Sequence, residues 1–153
     1  GEITVEKKFK NAGGHDTGPI SGTYMFGLYD SSDNQLQKIS ITYNPSDTTA
    51  SKTNKFVDLD LSQTYYVYEL DASGNPIKDS NTVNVINGME YLTSYTVNGI
   101  QTNVAANGNT VTVTNRVVTK QLPATGGNGT DIYIRSGAIL MLLTGVVLLK
   151  RRR

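Results

Sequence analysis

Residues 1–117 predict an all-β sandwich of about seven short strands. Apolar and polar residues alternate there in short runs, and clusters of Asn, Asp, Ser and Gly separate those runs. No stretch before residue 132 repeats with a helical period. The same residues are rich in Thr, Val and Tyr, which fit a pleated, half-buried surface.

Ile3-Thr4-Val5-Glu6-Lys7-Lys8-Phe9 opens the series, with Ile3, Val5, Lys7 and Phe9 on one side. Tyr24 to Tyr29 puts Phe26 and Leu28 together, and Gln37 to Tyr43 aligns Ile39 with Ile41. Phe56 to Leu61 and Tyr65 to Leu70 are expected to follow the same rule, with Asp58 and Asp60 alternating outward. Tyr91 to Val97 and Thr110 to Asn115 complete the set. Turn signals lie between them at Asn11-Ala12-Gly13-Gly14, Ser31-Ser32-Asp33-Asn34, Ala72-Ser73-Gly74-Asn75-Pro76, Asn98-Gly99 and Asn107-Gly108. Strands of this number and length suit a sandwich of immunoglobulin-like type.

Residues 1–117 suffice for one domain and not two. A formal net charge of +1 gives no electrostatic case for nucleic acid. With no cysteine, disulfides and thiol-held metals are excluded. No charged n-region and apolar h-region follow Gly1, so the sequence reads as a carboxyl-terminal piece of a longer precursor or as one already trimmed.

Residues 118–131 form a polar, Gly-containing linker holding Leu122-Pro123-Ala124-Thr125-Gly126. Residues 132–149 are largely apolar, and the chain ends Lys150-Arg151-Arg152-Arg153. As a helix, 132–149 would reach roughly 27 Å, just short of a hydrocarbon core of about 30 Å. Arg135 and Gly145 weaken it further as a permanent span, so a segment that pauses in the membrane fits better. The basic tail would be retained at the cytoplasmic face. Pentapeptide, spacer, apolar run and basic end resemble the sorting signal of Gram-positive surface proteins. That resemblance implies a sortase whose cysteine attacks the Thr125 carbonyl and releases Gly126 onward. Thr125 then passes to an amine on a peptidoglycan precursor or on another protein such as a pilin. It also implies attachment to the wall at the cell surface, after a transient stay of the precursor in the membrane.

Alternation exposes three polar residues on inward faces. Lys7 shares a side with Ile3, Val5 and Phe9; Glu69 shares one with Val67; Asn115 shares one with Val111 and Val113. A lone buried charge is costly, so groups of this kind pair or lose their charge. Three on separate strands suggest one cluster. Lys8 has the opposite parity, although a register slip or bulge after Glu6 would exchange it with Lys7. Taken singly, Asn115 also fits a strand end and Glu69 a surface position.

The first strand with its lysine, Tyr66-Val67-Tyr68-Glu69-Leu70, the closing Val111-Thr112-Val113-Thr114-Asn115 and the strand carrying Phe26 and Leu28 resemble the CNA-B (pilin-type) domains of Gram-positive surface proteins. The resemblance implies a spontaneous isopeptide bond between Lys7 and Asn115, assisted by Glu69 as catalytic acid. In that chemistry a neutral lysine attacks the carboxamide. The glutamate donates a hydrogen bond to the carboxamide oxygen and shuttles a proton as ammonia leaves. Holding the groups together supplies up to about 7–11 kcal/mol of the barrier. Turnover happens once, so no enzyme activity is implied, and no cofactor is needed.

Other chemistry has little material. His15 is the single histidine, in a Gly-rich loop beside Asp16, and no EF-hand or phosphate loop occurs. The Tyr-Pro-Lys motif of shaft pilins is absent, so a repeating shaft is not expected. The function expected is a wall-anchored stalk module of an adhesin or pilus-associated protein. Its rivals are a module that grips host matrix or a pilin partner, and the anchor end of a wall-attached enzyme.

Overall fold

The computed structural model describes residues 1–97, 100–101, 104–105 and 109–118, and alternating sequence there becomes paired strand except at 57–61. The strands are β1 (Ile3–Lys10), β2 (Asp16–Thr17), β3 (Gly22–Tyr29), β4 (Gln35–Tyr43), β5 (Lys52–Phe56), β6 (Tyr65–Glu69), β7 (Asn84–Ile86), β8 (Met89–Val97), β9 (Ile100–Gln101), β10 (Val104–Ala105) and β11 (Thr110–Val117). No helix occurs among the described residues. The expected turns at Asn98-Gly99 and Asn107-Gly108 fall outside them.

Two sheets divide the strands. The larger runs β2-β1-β11-β8-β7, with β5 also on β1 and β9 on β8; the smaller runs β10-β6-β3-β4. The first long strand and the last lie side by side and parallel, with Lys7 opposite Val113 and Phe9 opposite Asn115. β8 pairs antiparallel on the other flank of β11 and sets Thr93 opposite Asn115. In the smaller sheet, β3 sets Phe26 opposite Glu69.

The two inner faces share one core. β1 runs unbulged, so parity holds from Ile3 to Phe9 and all four inward residues are buried. Phe9 of the larger sheet meets Tyr24 and Tyr43 of the smaller edge-on, with ring centroids 5.2 and 5.4 Å apart. Such edge-to-face contacts add about 0.5–1.5 kcal/mol each beyond area burial. They also fix how the sheets sit over Lys7.

One expected strand fails. Phe56 ends β5, and 57–61 forms no strand. Asp58 adopts φ 59°, outside the strand region, and Asp60 takes the Ser62 backbone N–H and hydroxyl on its carboxylate. That local alternative to a ladder is typical of aspartate. The buried residues are therefore Phe56 and Leu59, while Asp58 and Asp60 lie exposed in a turn. β5 itself, Lys-Thr-Asn-Lys-Phe, is an edge strand that buries only Phe56. Its Asn54 side-chain N–H donates to the Ser40 carbonyl of β4 at 2.8 Å, joining the sheets along one side.

Candidate functional site

Because β1 and β11 are adjacent, inward parity on both delivers an amine and a carboxamide to one place in the larger sheet. The facing β6 delivers a carboxylate from the smaller sheet. Lys7, Glu69 and Asn115 are all fully buried. Lys7 Nζ donates to Glu69 Oε1 at 2.8 Å. Asn115 Nδ2 donates to Glu69 Oε2 at 2.9 Å. One carboxylate thus holds both partners, an oxygen for each.

The walls are aromatic. Lys7 Nζ lies 5.0 Å from the Phe9 ring centroid and 5.2 Å from that of Tyr24. Burial in this apolar surround lowers the Lys7 pKa from 10.5 to about 8, although the Glu69 charge and hydrogen bond oppose the shift. A useful fraction of neutral amine therefore exists near neutral pH. The backbone of the site is pinned from across the core. Tyr43 Oη donates to the Lys7 carbonyl at 3.1 Å. The Glu69 backbone N–H donates to Tyr95 Oη at 2.9 Å, and that hydroxyl donates to the Ile77 carbonyl at 2.6 Å. Burial pushes the Tyr95 pKa upward, so the hydroxyl stays a donor.

Lys8 points outward and is exposed, as is His15. The hydrogen bond expected from Glu69 to the carboxamide oxygen is not what forms: Glu69 meets the carboxamide nitrogen. The oxygen, Asn115 Oδ1, accepts from Thr93 Oγ1 at 2.9 Å. Thr93 is fully buried, and the sequence marks it only weakly. Its signal was the inward parity it shares with Tyr91, Tyr95 and Val97 on β8.

Leu122, Pro123, Ala124, Thr125 and Gly126 lie outside the described residues, as do the apolar run 132–149 and the tail Lys150, Arg151, Arg152 and Arg153. Among the described residues, no helix is long and apolar enough to cross a membrane.

Comparison with known proteins adds two findings, and no curated protein sequence matches the chain. The fold is similar to the major pilin protein of Streptococcus pyogenes, with 14% identity and a TM-score of 0.33 over 76% of this chain. The chain spans 44% of that pilin's length. Residues 116–153 match the LPXTG cell wall anchor motif. This is the anchor motif of Gram-positive surface proteins, and it indicates covalent attachment to the cell wall at the cell surface.

Proposed function

We propose that this protein is a wall-anchored stalk module of an adhesin or pilus-associated protein, braced by an isopeptide bond that Lys7 and Asn115 form with each other. The reading rests on one observation: a single buried carboxylate bridges the amine and the carboxamide at 2.8 and 2.9 Å.

The steps balance within the site. The neutral Lys7 Nζ attacks Asn115 Cγ, and the carbonyl π electrons move to Oδ1. Glu69 Oε1 takes a proton from Nζ, and the carboxyl gives one to Nδ2. The pair on Oδ1 then re-forms the carbonyl, the Cγ–Nδ2 bond breaks, ammonia leaves and Glu69 returns to its starting state. The amide carries one hydrogen on Nζ, and no cofactor or oxidant is consumed. Glu69 thus acts as a proton carrier between nucleophile and leaving group, a role its contact with Nδ2 suits.

The bond would lie where load falls. Parallel neighbours β1 and β11 are sheared when the amino end is pulled against a wall attachment beyond Val117. A covalent bridge between them carries that shear past the rest of the sandwich. It also closes a loop of about 100 residues, worth about 4–5 kcal/mol by the chain-entropy relation used for disulfides. In a chain without cysteine, that is a substantial share of stability.

At the other end, Thr125 would pass to a peptidoglycan or pilin amine while 132–149 pauses in the membrane above the basic tail. Proteolysis followed by tandem mass spectrometry tests the bridge: a branched peptide containing Lys7 and Asn115 is expected. Separate linear peptides, with both side chains intact, would refute it. Thr125→Ala should move the protein from the wall fraction to the membrane or the medium.

A further inference from the structure

We infer that Thr93 is a catalytic residue of the bond-forming step, donating from its hydroxyl to the carboxamide oxygen on which negative charge develops. The inference rests on the Lys7–Asn115 reading above and adds a group to it.

Antiparallel register sets Thr93 directly opposite Asn115, so both side chains leave the same face of the larger sheet. The threonine is fully buried between Tyr91 and Tyr95, a position that a valine would fill equally well by shape. Its hydroxyl is used: Oγ1 donates to Asn115 Oδ1 at 2.9 Å. Attack at Cγ turns that oxygen from a carbonyl into an oxyanion. A donor already aimed at it, away from water, stabilises the charge without reorganising.

The same contact sets the orientation of the amide. With Oδ1 on Thr93, Nδ2 faces Glu69, the group that must protonate it as it departs. Reversed, the carboxamide would turn its oxygen toward the carboxylate and its leaving nitrogen away from the proton source. Thr93 therefore acts twice on one group, through the charge on Oδ1 and through the direction of Nδ2.

The test is a pulse-labelled cell-free synthesis of the full chain, followed through time by intact mass under denaturing conditions. Only the protease-resistant, folded fraction is scored. Thr93→Val should lose ammonia at least about 100-fold more slowly than wild type, the usual effect of removing one oxyanion donor. Thr93→Ser, which keeps the hydroxyl, should stay within about tenfold of wild type on the same grounds. Should Thr93→Val not fold, Thr93→Ala removes the hydroxyl without an added methyl and is expected to be equally slow. Wild type that links while the hydroxyl-free variants link at its rate would overturn the role of Thr93 alone. Serine as slow as valine would do the same. Wild type that never loses ammonia would overturn the bridge itself, and this inference with it.

Discussion

Lys7 and Lys78 hold carboxylates at nearly the same distance. Lys7 meets Glu69 at 2.8 Å and Lys78 meets Asp33 at 2.7 Å. The side chains of the first pair are 0% exposed; those of the second are 44% and 61% exposed. At the surface the hydrogen bond that Lys78 donates to Asp33 is the largest influence, and it raises the Lys78 pKa. In the core desolvation is the largest, and it pulls Lys7 down to about 8 against the attraction of its partner. Contact distance therefore does not decide what an ion pair does. Burial does: it favours the neutral form of the Lys7 amine, while solvent and Asp33 favour the charged form of Lys78.

Substitutions in the buried pair should sharpen this contrast most. Glu69→Ala should prevent the proposed bridge, worth about 4–5 kcal/mol by loop closure, and strand a buried amine at a further cost of about 3–5 kcal/mol. Asn115→Ala removes the bridge but keeps the pair, so denaturant unfolding should rank it above Glu69→Ala. The double change Lys7→Met/Glu69→Leu also abolishes the bridge, yet should recover about 3 kcal/mol over Glu69→Ala because no buried charge is left unpaired. A double variant no more stable than Glu69→Ala would deny that burial sets the cost.

Acidity gives the next effect. Below pH 8 the fraction of neutral Lys7 grows about tenfold per pH unit, so linkage should accelerate on that slope and level off above it. In the unlinked Asn115→Ala protein the sign can be read from proton binding. The folded Lys7 has the lower pKa, so between about 8 and 10.5 the unfolded chain holds more protons. Stability should therefore rise with pH across that window, and not in Lys7→Met/Asn115→Ala. The surface pair should respond least: Lys78→Ala should cost under about 1 kcal/mol, and less in high salt. Lys8→Ala should leave the loss of ammonia intact.

Much of the site was legible because β1 obeys simple parity. With no bulge between Ile3 and Phe9, one step of alternation separates buried Lys7 from exposed Lys8. Charge on an inward face is conspicuous, so Lys7, Glu69 and Asn115 stood out. Thr93 did not, since threonine is common in strands and breaks no pattern there. The orientation of the Asn115 amide was also hidden. It depends on which groups face it across two strand pairings, not on its own neighbours. Edge strand β5 lacked an alternating signal because it covers almost no core. Phe56 to Leu61 carried a false one, broken by Asp58 at φ 59° and the Asp60 turn. The anchor, by contrast, is read from the order of its parts along residues 116–153 and needs no fold.

Intact mass of the purified chain, taken under denaturing conditions beside Lys7→Ala, bears most directly on the self-formed bridge. Wild type should weigh one ammonia less than its sequence, and Lys7→Ala should weigh what its sequence gives. Wild type at full sequence mass would contradict the bridge, leaving Lys7, Glu69 and Asn115 as a buried polar cluster that never becomes covalent.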